Sequence, residues 1–554
     1  MKTLTEKLKM SENEAARVRY LFFVIFFCEI IYAGIRFMNA GVNYEQAVSF
    51  RLFCIGFGLL VLGMMEVRQW MTIWSLIYLP VCYFFTRIAY QRHWIADTCE
   101  YQHVDVIRMG KLVILIWGVI LIAIVYDLIK NRRVGFRGFH PLLGSLWLAF
   151  IVLLTIFKKE YFYATFFVIC MTSFYWVMAR TQRQRAIWSA LQDAVILSFF
   201  YVTFMSLMRR PYDCERYTAY FVNANMAGMY LACVIAVLFN RIDLWMKKWR
   251  EAKKYIVGLV FYYLMLGFAC SLAVFNYTRT TIMGLVFAFA VLFLLQMIRS
   301  PKKKKVLLQY GLVIISVVSL FHTTYCAIRY IPAYMNVPYL FMGEYNPETR
   351  IMKDDPIDSP KYTTMESFLT LAFGKWGIYI PFTEEAKEES SEVVIDTERD
   401  VTNGRIDIWK AYLEKTNWEG HYPGHITLES GYFTYHAHST YIHVLYQYGI
   451  LTGIIYGLLH LSAFAVAVCS YWKKGQEEGS HDLLLALLLT GICLMSQVTE
   501  WMGHPAYVIN MMLYMMYGML LCRTKDDDSK AGDLSADDSA LKDPDGVPAV
   551  KGQT

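Results

Sequence analysis

Apolar residues arrive along this chain in long unbroken runs, not at every second or fourth position. A segment apolar on every side is buried in a core or in hydrocarbon, and crossing a bilayer takes about 20 such residues. Runs near that length fall at 20–38, 47–65, 71–89, 110–129, 141–157, 161–179, 187–208, 218–239, 255–275, 280–298, 306–326, 449–470, 482–500 and 505–522. Each predicts a transmembrane helix. Glu29, Pro80 and Asp193 interrupt the first, third and seventh runs, so the expected count is 12 to 14. The pattern predicts an all-α fold, a polytopic transmembrane bundle. The first run is too long for a signal-peptide core and no small-residue cleavage site follows it, so it is expected to stay as a span.

One stretch breaks the rhythm. Residues 327–448 are too polar to span and long enough to fold, and they predict one large loop with short helices. The chain then divides into helices 1–11 over 1–326, the loop over 327–448, helices 12–14 over 449–522, and a tail over 523–554. The tail is rich in Asp, Ser, Lys and Ala, lacks aromatics and predicts disorder.

Composition supports the membrane reading. Hydrophobic residues make up 56% of the chain and charged residues 18%, against about 25% charged in soluble proteins. The net charge of +7 does not point to nucleic acid, because the basic residues sit in short clusters between spans. With the N-terminus inside, Arg132/Arg133/Arg137, Arg180/Arg183/Arg185, the group Arg241 to Lys254 and the group Arg299 to Lys305 all face the cytoplasm, as the positive-inside rule asks. The large loop then lies outside, and both termini inside. Most of the twelve cysteines sit within apolar runs, and no C-x-x-C pair exists. Cys99 and Cys214 fall in outer loops, as two thiols or as a pair.

Candidate chemistry gathers on the outer side. His436, His438 and His443 close the large loop. Ser439 can cap a helix that Gly449 ends, and the sequence between predicts a short amphipathic helix at the membrane surface. A histidine at a helix N-terminus is kept neutral by the dipole, as a general base requires. Interfacial histidines that only hydrogen-bond fit the same pattern. Arg279 opens the tenth span, and Arg405 opens the histidine-bearing part of the loop, where Asp407 is a ready ion-pair partner. Two guanidinium groups suit bidentate contact with a diphosphate. Asn223 and Asn225, at the start of the eighth span, can hold sugar or phosphate or satisfy nearby backbone. Arg209, Arg210 and Arg216 form a second tier of outer cations. The acidic run 341–400 reads as a solvated surface.

Four patches resemble the O-antigen ligase and O-antigen polymerase superfamily of bacterial membrane glycosyltransferases. They are His436-Ala-His438-Ser439 followed, after nine intervening residues, by Gly449, Asn403-Gly-Arg405-Ile-Asp-Ile-Trp409, Tyr277-Thr-Arg279-Thr280, and Asn223-Ala-Asn225. Their order and spacing agree with the family over roughly residues 218–470. The second glycine departs from the family pattern, since it stands at Gly453, and Ser439 is the less common residue after the histidine. The resemblance implies a GT-C-like bundle in the bacterial cytoplasmic membrane. It implies a polyprenyl-diphosphate-linked glycan donor, a glycan, lipid or protein acceptor, and no metal or other cofactor. By matching position, Arg279 and Arg405 would bind the diphosphate with Arg210, Asn223, Asn225 and His436 nearby, and His438 would take the acceptor proton. A lipid-linked oligosaccharide flippase or another transporter is the alternative from a different class.

Overall fold

The computed structural model describes residues 12–39, 44–64, 112–113, 115–120, 122, 140–154, 184–208, 212–213, 216–221, 223–334, 405–421, 424–428, 431, 433–474, 481–500 and 507–521. The described chain is almost wholly helical. The helices are α1 (Glu12–Asn39), α2 (Tyr44–Met64), α3 (Pro141–Val152), α4 (Gln184–Leu207), α5 (Ala224–Glu251), α6 (Ile256–Asn276), α7 (Arg279–Arg299), α8 (Lys303–Tyr334), α9 (Arg405–Glu414), α10 (Thr440–Tyr448), α11 (Ile450–Lys474), α12 (His481–Thr499) and α13 (Val508–Leu521). Two antiparallel hairpins of two-residue strands complete it. One pairs β1 (Tyr212–Asp213) with β2 (Arg216–Tyr217), and the other pairs β3 (Ile426–Thr427) with β4 (Phe433–Thr434).

Eight described helices are long and apolar enough to cross a membrane. The chain is a multi-pass, all-α membrane protein. Eleven of the fourteen apolar runs coincide with described helices. The runs at 71–89 and 161–179 lie outside the described residues, and 110–129 is described only in part. The acidic segment 341–400, the tail, Cys99, Cys214, Arg209 and Arg210 also lie outside them. Neither Glu29 nor Asp193 breaks its helix: α1 and α4 run through them unbroken.

Three boundaries move. Helix α5 starts at Ala224, after the strands Tyr212–Asp213 and Arg216–Tyr217 of the first hairpin, and it continues to Glu251. Arg241 therefore lies inside a helix and not in a cytoplasmic loop. Its Nη2 meets Asp193 Oδ1 of α4 at 2.6 Å and Ser189 O at 2.7 Å, and the Tyr20 hydroxyl of α1 donates to the other Asp193 oxygen. The ionic residue that interrupts the seventh run is thus neutralised by a cation from the next helix, as buried charges require. Helix α8 extends to Tyr334, so the loop begins later than residue 327.

Of the eight long helices α5 is the most buried, and it packs against α6, α7, α12 and α13. Helices α7 and α12 form the closest long pair, with α6 against α8 and α1 against both α2 and α4 on either side. Arg299, at the end of α7, donates to the carbonyls of Tyr471 and Lys473 at the end of α11. The basic groups at Lys247–Lys254, Arg299–Lys305 and Lys473–Lys474 follow helix ends that point away from the starts of α5, α7 and α11. The bundle thus has a basic end, and the other end carries α9, α10 and the second hairpin.

Candidate functional site

At the non-basic end, three helix termini lock together. The α6–α7 turn passes through Tyr277 in the left-handed region (φ 31°), which is costly for a residue with a Cβ. Side-chain hydrogen bonds hold it there. Asn276 Nδ2 donates to Tyr217 O (2.6 Å) and Ala224 O (2.8 Å), and Thr278 Oγ1 donates to Ala224 O (3.1 Å). The turn is thereby fixed to the start of α5. Asn223 caps α5, its Oδ1 accepting from Asn225 N at 2.7 Å. Arg279 is the first residue of α7, whose N-cap Thr278 makes no side-chain capping bond. A cation at this position opposes the helix dipole.

The C-terminus of α12 arrives beside this turn. Thr499 Oγ1 lies 3.0 Å from Thr280 Oγ1, and Ser496 Oγ donates to Thr280 O at 3.3 Å. The last carbonyls of a helix have no partner within it, and here loop residues supply them. Arg405 Nη1 donates to Thr499 O at 2.5 Å, which also places a cation at the negative end of the dipole. Ser439 Oγ donates to Gln497 O at 3.4 Å, and Tyr441 OH to Leu494 O at 3.1 Å. Just past the helix end, the Glu500 carbonyl accepts from Thr440 N (3.0 Å) and Thr440 Oγ1 (2.6 Å).

Glu500 is the centre of the cluster and is nearly buried. Its carboxylate accepts from Asn225 Nδ2 at 2.5 Å and faces Arg405 Nη2 at 3.8 Å. The Asn225 contact is a short charge-assisted hydrogen bond, whereas the Arg405 contact is loose.

The histidines are set by α10 and the second hairpin. Ser439 caps α10, with Ile442 N donating to its Oγ at 3.5 Å, and Gly449 ends it. Gly449 takes φ 89° and ψ 161°, a region open essentially to glycine alone. A Cβ there would stand 2.3 Å from Trp418 O, because the segment 415–421 covers the end of α10. Gly453 lets α11 cross beneath α10, since its Cβ would stand 2.5 Å from Leu445 Cα. Placing this glycine four residues after Gly449 therefore serves the α10–α11 corner. Both faces of α10 are covered by protein. Val444 and Tyr448 pack on Phe150, Leu154 and Tyr456, while Tyr446 packs with Ile408, Tyr412, Ile426 and Ala437. Tyr412 is fully buried on the same face of α9 as Arg405, and its hydroxyl reaches Gly424 O (3.1 Å) and Thr434 O (3.3 Å).

His438 itself has left-handed backbone (φ 49°), and its N–H donates to His436 Nδ1 at 3.3 Å. The two rings lie 4.4 Å apart. Burial first, then His436 and Arg405, together bring His438 down to about 4. Burial also lowers His436, with Arg405 adding to it, and brings His443 down to about 3. All three are neutral at pH 7. His438 Nδ1 is buried without a hydrogen-bond partner among the described residues.

The chain matches no family model, no curated protein and no solved structure.

Of the residues singled out from sequence, Arg405, Asn225, His436 and His438 come together, and Arg279 opens the helix that touches Thr499. Asn223 does not join them, since its side chain is an exposed helix cap. Arg405 pairs with Glu500 and not with Asp407, whose partner is Lys410 at 4.0 Å. The histidine-bearing helix packs on protein through two of its faces. Two residues escaped the sequence reading. Glu500 looked like the polar end of a span. His460 lies in mid-helix in α11, and the only sign of it was one histidine in an apolar run. Its Nε2 is 3.1 Å from Gln497 Oε1 and its Nδ1 is 2.8 Å from Tyr517 OH.

Proposed function

We propose that this chain is an O-antigen ligase-like membrane glycosyltransferase with a GT-C-like architecture. It moves or polymerises glycan from a polyprenyl-diphosphate carrier onto an acceptor hydroxyl at the outer face of the bacterial cytoplasmic membrane. The observation that carries the proposal is the convergence of Arg405, Asn225, His436 and His438, beside the start of α7, at the end of the bundle opposite its basic clusters. The positive-inside rule assigns that basic end to the cytoplasm. A carrier lipid in the outer leaflet would then present its diphosphate at the level of the site.

In this mechanism Arg279 and Arg405 hold the diphosphate oxygens. The acceptor hydroxyl oxygen attacks the anomeric carbon, the bond from that carbon to the diphosphate oxygen breaks, and configuration inverts. The proton passes to His438, and polyprenyl diphosphate leaves with the electron pair. Burial, with His436 and the Arg405 guanidinium beside it, holds His438 near 4, which makes it a weak base in the free protein. A bound diphosphate would reverse the local charge and raise that value. The base would strengthen when the donor arrives, which restrains proton uptake in its absence.

A transporter has ionisable residues inside spans in its favour: Glu29 in α1, Asp193 and Arg241, which pair with each other, and His460. Both ring nitrogens of His460 are already hydrogen-bonded, which suits a fixed structural role better than a moving proton. The proposal is tested with purified protein, a polyprenyl-diphosphate glycan and candidate acceptors. Arg279→Ala should weaken donor use more than Arg279→Lys does. Equal losses would exclude bidentate contact, and lipid flipping in vesicles without transfer would favour the transporter.

A further inference from the structure

Within the spans, Gln497 of α12 is buried one turn below Glu500. Its Oε1 accepts from the Tyr456 hydroxyl and lies 3.1 Å from His460 Nε2, and its Nε2 donates to Cys493 O at 3.1 Å. An amide oxygen only accepts, so His460 Nε2 carries the hydrogen. His460 Nδ1 is then an acceptor, and the Tyr517 hydroxyl at 2.8 Å must donate to it. Every donor in this chain has an acceptor, and the tautomer follows from the pairing alone. Tyr456 and His460 belong to α11, Gln497 to α12 and Tyr517 to α13. Between helices in lipid, such bonds fix rotation and register, because the hydrophobic effect does not.

The turn of α12 that this network fixes is the one that carries the site. The Gln497 carbonyl accepts from Ser439, the cap of α10. Two and three residues later, the carbonyls of Thr499 and Glu500 accept from Arg405 and Thr440. We propose that His460 is a positioning residue, and that its bond to the Gln497 side chain fixes the rotation of α12 so that its terminal carbonyls hold Arg405 and the first turn of α10 in place. As a statement about catalysis this rests on the glycosyltransferase proposal, but as a statement about structure it does not.

Two substitutions separate the two halves of the network. His460→Gln keeps an N–H where Nε2 stands and so retains the bond to Gln497. His460→Asn keeps an acceptor where Nδ1 stands, retaining the bond to Tyr517 while losing the one to Gln497. Hydrogen–deuterium exchange of the full-length protein in detergent reads the amides of residues 439–444. The expected result is roughly three- to tenfold faster exchange there in His460→Asn, the range that one lost interhelical bond corresponds to, with near wild-type exchange in His460→Gln. Tyr456→Phe removes one hydroxyl without changing the packing much and should loosen the same amides if the histidine variants do not fold. Unchanged exchange in folded variants would overturn the proposal, as would equal loosening in His460→Gln and His460→Asn, which would mean that only ring volume matters. In the transfer assay, His460→Asn should lower kcat with little change in KM, and His460→Gln should restore it. A wild-type protein without transfer activity would defeat the glycosyltransferase proposal alone, leaving the exchange result to decide the role of His460.

Discussion

Glu500 occupies groups that an anionic ligand would need, so removing its charge has a calculable consequence. Glu500→Gln keeps the volume and keeps an acceptor for Asn225 Nδ2, but frees Arg405 from a carboxylate at 3.8 Å. In an effective dielectric near 20, that pair is worth at most about 4 kcal/mol. Arg405 is a quarter exposed, and physiological salt screens such pairs, so the realised share is about 1 kcal/mol. The account therefore predicts that inorganic diphosphate binds Glu500→Gln about fivefold more tightly than wild type, a ratio that corresponds to about 1 kcal/mol. Isothermal titration in detergent at fixed salt measures it directly. Arg405→Ala should weaken binding, and in the double variant the gain from Glu500→Gln should vanish. If Glu500→Gln instead weakens diphosphate binding as much as Arg405→Ala does, the carboxylate helps to build the anion seat and the competition argument fails.

Other consequences are simpler to read. Gly449→Ala forces a Cβ to within 2.3 Å of Trp418 O from a glycine-only conformation, and should cost about 1–3 kcal/mol, seen as a lower Tm by intrinsic fluorescence. His438 and His443 titrate near 4 and near 3 in the folded protein, against about 6.5 unfolded. Because the unfolded chain binds their protons first, stability is fully present above pH 6.5, falls as pH drops below that value, and declines until about pH 3 to 4. The Tm should therefore drop between pH 7 and pH 5, and the drop should shrink in His443→Gln; an identical pH profile in that variant would argue against a buried neutral imidazole. Arg241→Ala strands Asp193 in the span and should cost about 2–3 kcal/mol, whereas Arg241→Met combined with Asp193→Leu should recover most of it. Thermal unfolding of the two in parallel checks this.

The membrane spans were legible because lipid imposes a length and a composition on every crossing, and both are local properties of the chain. The bounds of α10 were legible for the same reason. Ser439 and Gly449 act on backbone within a turn of themselves, and they begin and end the helix where expected. What the chain conceals is pairing over distance. Asp193 looked like a defect in a span, and its role depends on Arg241, 48 residues later. Asn223 and Asn225 looked equivalent, yet one caps its own helix while the other reaches Glu500, 275 residues away. Glu500 and His460 drew no attention because their partners lie on other helices.

The most direct test of a glycan transferase centred on His438 is transfer from a synthetic polyprenyl-diphosphate glycan by the purified protein, in the presence of a chelator. The wild type should elongate or modify an acceptor with inversion at the transferred sugar. His438→Ala should lose that activity while keeping the wild-type Tm to within the cost of a partly exposed side chain. Undiminished transfer by a folded His438→Ala protein would contradict the assignment of the base, and absence of transfer by the wild type with glycan, lipid and protein acceptors alike would contradict the function itself.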